Sequence, residues 1–328
     1  MKTHKTGTST LVNILQRLGD THNVSFLLPS DNQFLGWPCP FDVYVERIGL
    51  QCHHQYGILE HHAMLDASLM RRCLRDGAVL TTIVREPVAQ ARSVFGFYSW
   101  LSPGAGLLWD VHLTWLEGLT SVRPDDLSED GRSGCHVGFG LRPQGHSPLF
   151  RNPQAYTLGW YARTNWSTRH DHDNAHIDAW LRDLDAELDL VLLTEAFLEG
   201  LVLLRRRLGC LLEEMRFVSM NTEWSGRVRR QGLQGSASAA ARIPDLTREQ
   251  HNRLLHVNNV DMRLHEHFTR VHRRAWAAPA WRARNSAEVL QLQGWNAELT
   301  SSTAPLAFQV SSLKYTAHLK SKQQHRKR

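Results

Sequence analysis

The sequence predicts an α/β fold, a parallel sheet flanked by helices. Three observations carry that prediction. Two apolar runs, 77–84 and 188–194, read as buried strands, and a helical stretch follows each. The chain opens on a polar, glycine-containing loop that runs straight into an amphipathic helix. Finally, 328 residues with 42% hydrophobic and 21% charged side chains suit one large α/β domain with a sizeable core, and exclude global disorder.

The elements follow in order. Residues 2–10 read KTHKTGTST and continue as LVNILQRLG. Leu11, Ile14, Leu15 and Leu18 fall on one helical face, Thr8 or Ser9 suits the start, and Gly19 the stop. The strand at 77–84 ends at Arg85-Glu86-Pro87, and 88–98 reads as helix. Residues 101–150 are rich in Gly, Pro and Ser, an irregular insertion with one short helix near 108–119. The strand at 188–194 leads into a helix over about 195–208, and 225–245 reads as loop. Leu254, Leu255, Val257, Val260, Leu264 and Phe268 give an approximate apolar face to a helix over 246–275. These elements make one domain over 1–275. Residues 276–328 read as a polar, basic, poorly ordered tail.

The formal net charge is +6, with nineteen histidines, which suits an anionic partner. Nucleic acid is not the expected one, because the basic residues are scattered and the densest run, Lys320 to Arg328, lies in the tail. No run of about 18 or more apolar residues occurs, and no apolar segment follows Met1, so neither a membrane span nor a secretory signal is expected. The five cysteines form no CxxC pair and allow at most two bridges. The histidine pairs His53-His54 and His61-His62, with His170, His172, His265 and His267, lack metalloprotease spacing or a cysteine cluster; no metal site is expected. Asn23-Val-Ser25 and Asn165-Trp-Ser167 are glycosylation sequons, weak support for a lumenal location.

Two motifs carry chemistry. In the first, Lys2, Lys5, Thr6, Gly7, Thr8, Ser9 and Thr10 surround a helix N-terminus. Free amides and a partial positive charge there suit a phosphate; Gly7 admits close backbone approach, and Lys5 and the hydroxyls add donors. The lysine precedes the glycine, so this is not a GxxxxGK[ST] loop, which argues against a kinase or NTPase. An ordinary capped helix is the plainer reading. In the second motif, Arg85 stands at the carboxyl end of a strand, where open α/β sheets bind ligands, and Ser93 follows about two helical turns later. A salt-bridged strand-end arginine is the plainer reading here.

Together, KTHKTGTST and REPxxxxxS resemble the 5′-phosphosulfate and 3′-phosphate elements of sulfotransferases, and the form KTHKTGxST looks like the galactose 3-O-sulfotransferase family. Residues 188–215 resemble that family's strand–helix segment, with Cys210 matching. VDMRLHEHF at 260–268 resembles its late helix, and His61-His62 sits where it has Asn-His. The resemblance covers about 2–100 and 156–275. It implies a three-layer, P-loop-like sulfotransferase fold that moves a sulfuryl group from 3′-phosphoadenosine 5′-phosphosulfate (PAPS) to the 3-hydroxyl of a terminal β-galactose on a glycolipid or glycoprotein. By that resemblance Lys5 and the loop residues hold the phosphosulfate, Arg85 and Ser93 hold the 3′-phosphate, His62 is the base, with His61 its alternative, and no metal is obligatory. It also implies residence in the Golgi lumen or membrane, through an N-terminal helix that this chain does not show.

The chain departs from the family pattern in places. Glu86 replaces Asp, and His265 replaces Tyr. The family's loop follows a central strand, whereas here the motif starts at residue 2, so either that strand is missing or another segment fills its place. A truncated relative that binds nucleotide or glycan without turnover is the alternative reading.

Overall fold

The computed structural model describes residues 1–29, 34–98, 109–122, 147–218, 245–277 and 279–301. Most of the insertion expected at 101–150, the loop at 225–244 and the chain from 302 onward lie outside them. Helices α1 (Thr8–Thr21), α2 (Phe41–Arg47) and α3 (Ala67–Cys73) precede strand β1 (Thr81–Val84). Helices α4 (Pro87–Tyr98), α5 (Trp109–Glu117), α6 (Ser147–Phe150), α7 (Pro153–Thr157), α8 (Trp160–Arg163) and α9 (Asn174–Glu187) lead to strand β2 (Leu190–Leu193). Helices α10 (Phe197–Leu208), α11 (Arg248–Val257), α12 (Asn259–Ala277) and α13 (Pro279–Ser301) follow.

The protein is mixed α/β, mostly helical, with a small parallel sheet. β1 and β2 run parallel, Thr81 opposite Leu190 and Val84 opposite Leu193. Side chains alternate across a strand, so the sheet offers two apolar faces. On one, Ile83 and Leu192 join Leu11 and Ile14 of α1, Leu201 and Leu204 of α10 and Leu292 of α13. On the other, Val84, Val191 and Leu193 join Trp160, Tyr161, Trp180 and Phe268. Helices therefore cover both faces. Close approach of α10 to β2 depends on Gly200, where a Cβ would stand 2.9 Å from the Leu192 side chain.

Successive carbonyls of a strand point to opposite edges. Leu80 O accepts from Asp189 N (2.9 Å) at the start of β2, so Thr81 O and Ile83 O face the other edge. Residues 1–3 lie there. Met1 N donates to Thr81 O (2.7 Å), Thr3 Oγ1 to Ile83 O (2.6 Å) and Thr82 Oγ1 to Met1 O (3.3 Å).

A buried polar lattice braces α7, α8 and α12. Asp171 accepts from Arg151 Nε (2.9 Å), Trp160 Nε1 (2.9 Å) and the Tyr161 hydroxyl (2.8 Å). Asn152 Oδ1 accepts two amides of the first turn of α12, Val260 N and Asp261 N, both at 3.1 Å. Asp261 in return accepts Gln154 N (3.1 Å) and Ala155 N (2.7 Å) of α7. Each helix thus caps the other, satisfying amides that would otherwise be orphaned in the interior. A disulfide joins Cys52 to Cys73, and Cys210 is a half-buried thiol. No helix among the described residues is long and apolar enough to cross a membrane.

Two expectations are corrected. The helix over 246–275 is two helices, because the chain leaves helical geometry at Asn258, whose Oδ1 accepts from Asn152 N (2.6 Å). Residues 279–301 are not loose tail. They form α13, with Leu292 fully buried, Glu288 paired to Arg205 (2.6 Å) and Arg206 (3.1 Å), and Asn296 Oδ1 accepting Phe217 N (2.9 Å). Leu292→Ala should therefore cost about 2–5 kcal/mol in urea unfolding. Leu290→Ala on the same helix, 68% exposed, should stay within about 0.5 kcal/mol.

Candidate active site

The loop before α1 is shaped by five side-chain donors. Lys2 O accepts from His62 Nδ1 (2.9 Å), Thr3 O from Thr8 Oγ1 (2.9 Å), and His4 O from Gln90 Nε2 (3.0 Å). Lys5 O accepts from the Arg85 guanidinium (3.0 Å) and Thr6 O from Thr194 Oγ1 (2.6 Å). Every carbonyl from Lys2 to Thr6 is thus tied to a side chain. In a trans peptide the N–H points opposite to the C=O, so the amides of Thr3 to Gly7 are turned away from these ties. Lys5 (φ 60°) and Gly7 (φ 86°) are both left-handed, the backbone reversal that builds anion-binding concavities. Gly7 caps α1, whose opening amides and dipole face the same end.

The loop hydroxyls divide in two. Thr6 and Thr8 are buried; Thr6 Oγ1 bonds Thr3 Oγ1 (2.7 Å) and Thr8 Oγ1 bonds the Thr3 carbonyl, so both shape the loop from within. Ser9 is half-buried, and Thr10, though also buried, lines a cleft.

The structure brings Lys5 and Arg85 together. Partial burial and the nearby guanidinium push the Lys5 amine down to about 8. Arg85 lies close to the carboxylates of Glu195 and Glu86, which favour its charge against burial. Thr194 Oγ1 also reaches Val84 O (3.1 Å), pinning the loop where both strands end. Ser93 is half-buried on α4, about two turns beyond Arg85.

His62 is buried, its backbone bridged to Phe34, and its ring stacks on His4 with centroids 3.9 Å apart. Trp37 flanks His4 at 4.2 Å. A carbonyl only accepts, so the bond to Lys2 O puts the His62 proton on Nδ1 and leaves the lone pair on Nε2. Burial, then the His4 and Lys2 charges, hold His62 well below 6.5; burial takes His4 to about 3. Both rings are therefore neutral at pH 7. His61 diverges: its Nε2 lies 3.3 Å from Glu60 Oε1, in the interior. Lys2 departs from its expected place. Its side chain is buried and interacts with Glu60, which burial pushes up to about 7, so Lys2 belongs to this interior charge cluster and not to the anion-facing set.

A cleft of about 960 Å³ opens beside the loop, lined by Gly7, Thr10, Thr194 to Glu199, Phe217 and, from α13, Val289, Gln293, Asn296, Ala297 and Thr300. Arg85 and Ser93 stand outside that wall. Elsewhere, His170, Asp173 and His176 are grouped closely enough to share an ion. Asp173, however, caps α9 through Ala175 N (3.1 Å) and His176 N (3.2 Å) and takes His176 Nδ1 at 2.6 Å, an arrangement complete as a helix cap.

Sequence reasoning missed Thr194, Gln90, His4, Trp37 and the α13 wall. Thr194 had a signal, since it is the last residue of the 188–194 strand pattern; Gln90 had only its place in the helix after Arg85.

A family model described as galactose-3-O-sulfotransferase matches residues 1–324. Galactose-3-O-sulfotransferase 2 of Homo sapiens is 29% identical over 309 residues, 92% of this chain and 66% of that protein. Galactosylceramide sulfotransferase of Mus musculus is 26% identical over 271 residues, 82% and 55%. Galactose-3-O-sulfotransferase 3 of Bos taurus is 29% identical over 224 residues, 67% and 47%. The chain thus spans about half to two thirds of the length of these relatives. No solved structure matches it.

The Lys5 amine should titrate near pH 8 instead of 10.5, followed by 13C NMR of labelled lysine. Arg85→Ala removes a neighbouring positive charge and should move that midpoint up; an unchanged midpoint would mean burial alone sets it.

Proposed function

Because the chain belongs to the galactose-3-O-sulfotransferase family, we propose that it moves a sulfuryl group from PAPS to the 3-hydroxyl of a terminal β-galactose on a glycolipid or glycoprotein. The observation that carries this reading is the loop itself. Its carbonyls are tied back, its amides are turned the other way, two left-handed residues bend it, and Lys5 supplies positive charge. That donor set fits a phosphosulfate. A cleft bounded by Gly7, Thr10, Thr194 and α13 opens beside that donor set.

The donor supplies an activated sulfuryl group on a phosphate leaving group. The opening amides of α1 and Lys5 bind the 5′ end, with Ser9 and Thr10 as hydroxyl donors. Lys5 offsets the negative charge that grows on the bridging oxygen. Arg85 and Ser93 hold the 3′-phosphate. His62, neutral with its Nε2 lone pair available, takes the proton of the acceptor hydroxyl as the bond from O3 to sulfur forms and the bond from sulfur to the bridging oxygen breaks. In this reading the fold is a P-loop-like sulfotransferase domain that extends past the expected end at 275 to include α13, and its loop is anchored through residues 1–3 on β1. The Cys52–Cys73 disulfide suits an oxidising compartment, in keeping with a Golgi lumen.

Calorimetry with 3′-phosphoadenosine 5′-phosphate (PAP), with ATP as control, tests the donor site; selective PAP binding is expected, and its absence in a folded chain would sink the reading. Turnover on a terminal galactoside then separates an enzyme from a relative that only binds. Lys5→Ala should abolish transfer while the chain stays folded. His62→Ala should lower kcat by about 10²–10⁴ with PAP affinity kept. The acid limb of the wild-type kcat profile should lie below pH 6.5, since the folded protein holds His62 below that value.

A further inference from the structure

We infer that Gln154 is a positioning residue for Arg85, an inference that rests on Arg85 reading the 3′-phosphate. β1 ends at Val84, so Arg85 is the first residue past the ladder and has no strand partner within it. Gln154 takes that role with a side chain. Arg85 N donates to Gln154 Oε1 (2.7 Å), and Gln154 Nε2 donates to Arg85 O (2.9 Å). One carboxamide thus makes both hydrogen bonds that a neighbouring strand would make, and it fixes the backbone from which the guanidinium departs.

The clamp is itself held. Gln154 is fully buried, and its Nε2 lies 3.3 Å from Asp261 Oδ2, the carboxylate that also caps α7. Through Asp261 and Asn152 the clamp is joined to the reciprocal caps of α7 and α12. The Arg85 side chain, so anchored, reaches Lys5 O with one of its five N–H groups and lies beside the Glu195 and Glu86 carboxylates. A hydrophobic side chain of the same length would keep the packing and lose the clamp.

The test is a double-mutant cycle on the full chain, reading affinity for PAP and for adenosine 5′-monophosphate by calorimetry. Gln154→Met should weaken PAP about tenfold and the monophosphate severalfold less, since PAP loses the 3′ contact in addition to any loosening of the Arg85 tie to Lys5 O. In an Arg85→Ala background the same substitution should weaken PAP no further. Gln154→Leu, which also removes both bonds without adding a buried charge, should give the same pattern, and it serves if the methionine variant does not fold. Equal losses for both nucleotides, or losses that add to that of Arg85→Ala, would overturn the positioning role and leave Gln154 a packing residue. If Arg85→Ala itself leaves the preference for PAP intact, the assignment of Arg85 to the 3′-phosphate fails first.

Discussion

The candidate site depends on one constraint: five consecutive carbonyls, Lys2 to Thr6, cannot turn inward. Each is held by a side-chain donor from a different part of the fold: the 56–62 segment, α1, α4, the end of β1 and the end of β2. A loop left to itself would present oxygens and amides alike to an anion, and the oxygens would repel it. Tying back the oxygens leaves the positive ends of the peptide dipoles to act together with Lys5 and the α1 terminus. The proposed preference for an anion would thus be a property of the frame around the loop as much as of the residues within it.

That frame is stiff because its polar groups are paired. Asn152 and Asp261 exchange caps between α7 and α12, and Asp171 gathers Arg151, Trp160 and Tyr161. In a low-dielectric interior such bonds are costly to break, since each leaves a stranded donor or acceptor. The lattice ends at Arg85, so rigidity reaches the site by the residue the second motif singled out.

Much of this was legible. Both strands were, because short apolar runs between polar breaks have few other solutions, and Gly7 before an amphipathic pattern marked the start of α1. The donors Thr194, Gln90 and Gln154 were not, because a polar side chain that pairs with backbone 69 to 188 residues away leaves no periodic trace. Lys2 shared a motif with Lys5 and looked alike; only the fold brings Glu60 beneath one of them and Arg85 beside the other. Helix α13 escaped because its buried face is sparse, Leu292 and Asn285 being its fully buried members, and it is fixed by Glu288 and Asn296. The roles of His62 and of the 3-hydroxyl acceptor came from family likeness; nothing in the residue pattern alone selects them from nineteen histidines and many sugars.

The ties on the loop also have a meaning in time. Apart from the local Thr8 bond, they span 60, 80, 86 and 188 residues of chain. Contacts so distant in sequence close late, after the loop entropy between them has been spent. The loop's geometry is therefore a property of the whole fold and is not built into residues 2–7 alone. The loop takes its full set of ties only in a chain where β2 lies beside β1, because Thr194 at the end of β2 joins Thr6 O to Val84 O.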